Sequence, residues 1–326
     1  KSTIDKIYYR GKKLPNIAWE GSYTLGKQGI GKIDLSPIYL QNDKKKRFLS
    51  LEAKIDLDQE TLSVDIPKQS FYLEDIEDYT TVDFLEGKWT LAGKVKGNYK
   101  NPNYDFQMEG ENLKVKKAPL DYLTLKFHGN TEKLTIDSIK TAYLQNKAEI
   151  QGYYGIQDES YDISVKAPKI DWKLLQSFAS EYGVENIEGN SNLDFHIRSQ
   201  QSQGNLFLHN FSFEMPKKYI SVKNFTGNIE LQGGEMIFHQ ISGIVNEGKA
   251  VVKGRIQLPK LNEVKKDFSF LKKLDYYFNI DVQELKYRIP EMLSLDISSH
   301  LRLESNKLRG NIELLRAKVV DIPNTY

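Results

Sequence analysis

Gly87 and Gly152 recur 102 positions later as Gly189 and Gly254, and Trp89–Thr90–Leu91 aligns with Ser191–Asn192–Leu193 at the same offset. Between these marks one order of short alternating apolar runs is written twice. A long chain of β units with no chemical cluster in it argues for a surface that carries something, not for a site that converts something.

The alternation is clean. Leu49, Leu51, Ala53, Ile55 and Leu57 share one face, and Ser50, Glu52, Lys54, Asp56 and Asp58 take the other. Ala250, Val252, Gly254, Ile256 and Leu258 repeat this, as do Leu293, Leu295, Ile297, Ser299, Leu301 and Leu303. Period two means one apolar and one wet face. Sheets of this kind are antiparallel, because buried parallel strands read as continuous apolar runs. Turn signals separate the runs: Asn101–Pro102–Asn103, Gly129–Asn130, Asn146–Lys147, Gly227–Asn228, Gly233–Gly234 and Asn246–Glu247–Gly248.

One helix interrupts the strands. Asp171 is its N-cap, Leu174, Leu175, Phe178, Ala179 and Tyr182 form its apolar stripe, and Gly183 ends it. An earlier copy follows Pro67–Lys68 through Phe71, Leu73 and Ile76, giving a short helix near 70–78. A third starts near Pro290 or lies in Phe268 to Leu274. Boundaries fall near 85, 187 and 290: a partial repeat over 1–85, repeats over 86–187 and 188–289, and the start of another over 290–326. No Ser/Pro/Gly linker marks them, so the chain reads as one continuous elongated body rather than separate domains. Both termini fall inside strand-like text, so the chain reads as a stretch of a longer protein, with any anchor or targeting signal outside it.

Candidate chemistry is sparse. Net charge is +2, from 46 basic and 44 acidic residues, so no global field favours nucleic acid or acidic lipid. There is no cysteine, which excludes disulfides and thiolate metal sites. No apolar run approaches the roughly 20 residues of a membrane span. His128, His196, His209, His239 and His300 lie far apart in sequence and read as solvated strand residues. Glu74, Asp75, Glu77 and Asp78 lack calcium-loop spacing and read as a wet helix face. Asp43–Lys44–Lys45–Lys46–Arg47 reads as a charged hairpin loop. Gly26, Gly29 and Gly31 precede neither a GKS/T motif nor a helix pattern, so they form no phosphate loop. The expectation is a protein with no cofactor, no metal and no catalytic residues.

What remains is the apolar stripe. Packed against a second layer it is an ordinary core. It persists through the repeats with few helices to cover it, so the expectation is a mainly β fold: a long antiparallel curled sheet built from ~100-residue repeats, whose apolar face lines a trough. The candidate liners are Trp89, Leu91, Phe106, Met108, Leu125, Phe127, Leu193, Phe195, Leu208, Phe213, Leu231, Phe238, Val252, Ile256, Leu301 and Leu303.

Residues 86–156 carry an ordered set of marks. A helical stretch leads to Glu86–Gly87, then come a strand spaced by Gly93 and Gly97, a turn at Pro102, paired strands with Gly110, Gly129–Asn130 and a closing Gly152. This order resembles the repeat of TamB-type proteins in the AsmA-like superfamily. Residues 188–258 are similar, with Gln200 to Gly204 replacing the proline turn. The resemblance implies a taco-shaped sheet and a periplasmic body in a diderm bacterium, held to the inner membrane by an N-terminal helix absent from this chain. It implies phospholipid as cargo, moved between inner and outer membranes in support of outer-membrane biogenesis. It also implies an outer-membrane barrel partner of the TamA/BamA type, docking through regions outside these residues. Two alternatives stand beside the conduit. One is an assembly or translocation factor that holds nascent outer-membrane or autotransporter strands by β-augmentation. The other is an adhesive or structural stalk of tandem β-sandwiches, for which one hundred residues is a natural size.

Overall fold

The computed structural model describes residues 2–4, 8–9, 12–26, 31–76, 85–115, 118–143, 146–199, 201–259, 274–305 and 307–319. Strand is the dominant structure. In order the strands are β1 (Ser2–Ile4), β2 (Tyr8–Tyr9), β3 (Lys12–Lys13), β4 (Asn16–Leu25), β5 (Gly31–Gln41), β6 (Arg47–Asp56), β7 (Thr61–Tyr72), β8 (Leu85–Asn98), β9 (Asn103–Val115), β10 (Ala118–Gly129) and β11 (Lys133–Tyr143). They continue as β12 (Asn146–Gly155), β13 (Tyr161–Asp171), β14 (Glu185–Arg198), β15 (Gln203–Met215), β16 (Ile220–Gln232), β17 (Glu235–Val245), β18 (Gly248–Gln257), β19 (Asp275–Ile289), β20 (Leu293–Glu304) and β21 (Lys307–Val319). Nineteen of these belong to one antiparallel sheet that is not closed into a barrel; β2 and β3 form a separate pair.

The chain divides into two compact units, Lys1–Ile163 and Ser164–Tyr326. In the first, β1 pairs with β4, and each strand from β4 to β11 pairs with its successor. In the second, each strand from β14 to β20 does the same. Short turns impose this order, because a tight turn can only return the chain antiparallel beside itself.

The 102-residue offset is a structural fact for half of the repeat. Phe127 faces Ile136 and Ile229 faces Phe238; Ile139 faces Ile150 and Ile241 faces Val252. The register breaks also coincide, at Lys126/Phe127 and at Asn228/Ile229. The offset fails in the preceding hairpin. Gly93 faces Phe106, whereas Phe195 faces Gly204, so glycine and phenylalanine have exchanged strands. The hairpin ends are closed by Lys96 opposite Asn103 and by His196 opposite Gln203, an offset of 100 rather than 102, so the second turn comes two residues early and moves the return strand relative to its partner.

The Gly227–Asn228 turn expected from sequence is not a turn. Both residues lie inside β16, where Gly227 sits so close to β17 that a Cβ would press on Ile241 and the Gln240 carbonyl. The glycine serves close approach, not chain reversal. Gly129–Asn130, Gly233–Gly234 and Asn246–Glu247 do lie at hairpin ends, with positive φ at Gly233, Gly234, Asn246 and Glu247.

Helices are few and short. Asp171 accepts a hydrogen bond from the Lys173 N–H, a 3-10 turn runs Trp172–Leu175, α1 covers Gln176–Ala179, and a second 3-10 turn covers Ser180–Tyr182. Gly183 ends the segment at φ 73°, the left-handed region. The earlier copy is a single turn, Leu73–Asp75; residues 77 and 78 lie outside the described set. Near Pro290 the chain makes a turn between β19 and β20, with the Met292 N–H donating to the Ile289 carbonyl, and no helix forms there. Of the alternative stretch 268–274, only residue 274 is described.

Candidate functional site: the apolar face

Cross-strand register gathers the apolar side chains into rows running perpendicular to the strands. In the first unit one row is Ile66, Gly93, Phe106, Phe127, Ile136 and Gly152. The next is Leu91, Met108, Leu125, Ile139 and Ile150. A third carries Phe71, Trp89, Gly110 and Leu123. In the second unit a row of eight runs Leu193, Leu206, Ile229, Phe238, Gly254, Phe278, Leu303 and Leu308. Beside it lie Leu208, Ile241, Val252 and Leu301, and on its other flank Phe195, Leu231, Met236, Ile256 and Tyr276.

All sixteen candidate liners fall on these faces. Phe213 joins through its pairing with Val222. Trp89, Leu208 and Leu231 are buried. The other thirteen are half-buried. Aromatic pairs pave parts of the surface: Phe106 stacks with Phe127 at 5.4 Å between ring centres, and Phe238 meets Phe278 edge-on at 5.0 Å. Gly93 and Gly254 make room for these rings, since a Cβ at either would collide with Phe106 or Phe278. Burial pushes the Tyr104 phenol up.

The helical turns land on the apolar face. In the first unit Leu73 and Ile76 pack against a buried cluster of Phe48, Leu49, Phe71, Trp89 and Leu113. The turn is tied down by the Lys46 ammonium, 2.6 Å from the Asp75 carboxylate. Two residues singled out as bare charges thus pair with each other. In the second unit Trp172 packs against Leu206, Leu208, Ile229 and Ile241, lies edge-on to Phe211, and donates its indole N–H to the Ser191 hydroxyl at 2.9 Å.

Sequence reasoning missed Ile136, Ile139 and Ile241, which sit in the middle of the rows. In β11 and β17 one extra residue interrupts the alternation, Asp137 in one and His239 in the other, so apolar positions run two apart and then three. The same two-then-three spacing 102 residues apart, with a polar residue at the break, was the available signal.

The opposite face is polar and laced with exposed cross-strand pairs, among them Lys68–Glu109 at 3.1 Å, Lys140–Glu149 at 3.1 Å and Lys286–Glu247 at 2.8 Å. Such pairs contribute about 0–1 kcal/mol each. The hydrogen bond from Lys68 holds the Glu109 carboxyl below its ordinary value. Two open concavities of about 620 and 720 Å³ lie on this polar side. The first is lined by mixed charges that engage one another, Arg255 beside Glu235 at 3.9 Å and Arg302 over the Tyr277 ring at 4.6 Å. Among the described residues no three His, Asp or Glu side chains gather as a metal site, and no helix is long and apolar enough to cross a membrane.

Fold and site together define an open antiparallel sheet with one half-covered apolar face in each unit. No family model, curated protein or solved structure matches the chain.

Proposed function

We propose that the apolar face holds the acyl chains of phospholipid, without catalysis, as part of a conduit between the two membranes of a diderm envelope. The observation that carries this reading is the burial of the liners. Thirteen of sixteen keep solvent-accessible apolar surface while standing in register with their neighbours. A sealed core would leave them dry, and a plain solvated sheet face would not be apolar over whole rows.

The energetics suit the cargo. Each methylene taken from water contributes about 0.8 kcal/mol, so a tail needs continuous apolar contact rather than one deep pocket. The eight-strand row of the second unit, at ~4.8 Å per strand, is on the order of 35 Å long. The tails of one leaflet span roughly 15 Å. A tail on such a row can shift by one strand and meet similar chemistry, so motion along it faces no large barrier. The inner-membrane anchor and barrel partner that the resemblance implies have no residues assigned in this chain.

Photo-crosslinking residues at Phe127 and Phe238 in the full-length protein test the reading. Phospholipid adducts at both positions are expected, and native mass spectrometry should show less co-purifying lipid for Leu125→Asp with an unchanged circular dichroism spectrum. Adducts on protein alone would overturn the reading in favour of an assembly factor.

A further inference from the structure

The concavity of about 720 Å³ lies in the first unit, at the hairpin ends of β8–β9 and β10–β11. Lys94 and Lys96 of β8 and Lys133 of β11 line it. So does Asp105, which stands opposite both Lys94 and His128 in register. His128 is already joined to Asp137. Three ammonium groups thus share the space with one carboxylate. Other lysines of this unit are neutralised by acids, among them Lys68 by Glu109 at 3.1 Å, Lys88 by Glu111 at 3.5 Å and Lys140 by Glu149 at 3.1 Å. Lys94, Lys96 and Lys133 form no ion pair with a carboxylate among the described residues. Lys133 instead lies over the Tyr153 ring at 4.0 Å, with N–H donors to spare.

This charge is not a demand of the strands. The concavity of the second unit includes Glu235 and Ile237, the positions 102 beyond Lys133 and Thr135. There Lys253, Arg255 and Arg302 are balanced by Glu235, Asp275 and Glu304. Cations gathered without acids repel one another, and a bound anion relieves that repulsion. A fixed donor stands with them. The Asn130 side-chain carbonyl accepts from the Glu132 and Lys133 N–H groups at 2.9 and 3.0 Å, so its amide nitrogen is the part left to donate. Phosphate oxygens suit this set, because they take charge-assisted hydrogen bonds from ammonium groups and neutral ones from an amide together.

We propose that this concavity binds a phosphate-bearing anion, with Lys94, Lys96 and Lys133 supplying the charge and Asn130 the oriented donor. A lipid headgroup and a soluble phosphate share the chemistry it recognises. The site lies on the polar side and uses none of the residues in the apolar rows, so its failure and that of the tail-holding face are separate results.

Isothermal titration of the whole chain with pyrophosphate tests the site. Lys94→Gln/Lys133→Gln changes two exposed side chains and should weaken binding at least about tenfold. Lys253→Gln/Arg255→Gln removes the same charge from the second unit's concavity and should leave binding unchanged. Asn130→Asp keeps an acceptor for the turn but loses the donor, and should also weaken binding. Flotation with phosphatidylcholine vesicles, with and without phosphatidylglycerol, then separates the sources. Flotation on the anionic vesicles that is lost in the Lys94/Lys133 variant assigns the phosphate to a headgroup. Pyrophosphate binding without flotation assigns it to a soluble ligand, and both results support the site. No pyrophosphate binding, equal weakening by the two double variants, or unchanged binding in Asn130→Asp would each overturn the proposal.

Discussion

The imidazole of His128 lies 3.0 Å from the Asp137 carboxylate across β10 and β11, and 102 positions later the partners are exchanged, with Glu230 and His239 at 2.6 Å across β16 and β17. Asp137 and His239 are the extra residues of two matching bulges. One geometric position therefore keeps an acid–imidazole pair while its two residues trade places, so the pairing rather than either residue type is what the bulge accommodates.

Exchanging the first pair, His128→Asp with Asp137→His, should leave stability within about 0.5 kcal/mol, whereas His128→Asp alone sets two carboxylates together and should cost up to ~1 kcal/mol. The coupling from a double-mutant cycle should be favourable and no larger than about 1 kcal/mol, since both side chains are exposed. Urea unfolding of the four proteins gives the answer; a His128→Asp variant as stable as the exchanged pair would contradict it.

Ser191 is almost wholly buried, at 1% exposure, and accepts the Trp172 indole hydrogen. Ser191→Ala strands that donor and should cost about 1–3 kcal/mol. Trp172→Phe removes the donor along with part of the ring and should lose less of the hydrogen-bond component when combined with Ser191→Ala. Thermal melts of the single and double variants measure the coupling, and strict additivity would show that the bond contributes nothing.

Gly254 stands between Phe238 and Phe278 in register, with no space for a side chain. Gly254→Val should push the edge-on aromatic pair apart and destabilise the second unit by about 1–3 kcal/mol. Hydrogen exchange should report faster opening of β17–β19; an unchanged pattern would mean that the ring contact is not part of the cover.

Lys100 donates a hydrogen bond to Glu60 at 3.0 Å and holds its carboxyl below the ordinary 4.5. With the folded value depressed, the pair's contribution is present above the unfolded value and is lost as pH falls through the folded one. It is intact at pH 7 and fades on acidification below about 4.5. Lys100→Met should therefore lose less stability than wild type between pH 7 and pH 3 in denaturant titrations; parallel losses would remove the pair from the acid response.

Alternation in the 326 residues determined the strands, their antiparallel pairing and which side of each is apolar, because side-chain direction at period two is a local property of an extended chain. It also determined the capped helical segment, since Asp171 and Gly183 act within one turn of themselves. Only the tertiary structure decided which residues share a row. The bulges at Asp137 and His239 reset the parity of their strands, and so brought Ile139 and Ile241 onto the face. Only the fold showed that Trp172 comes down on Ser191, and that Gly227 is a point of close approach rather than a turn. These outcomes rest on where neighbouring strands stand, and no short window of sequence contains its neighbour across the sheet.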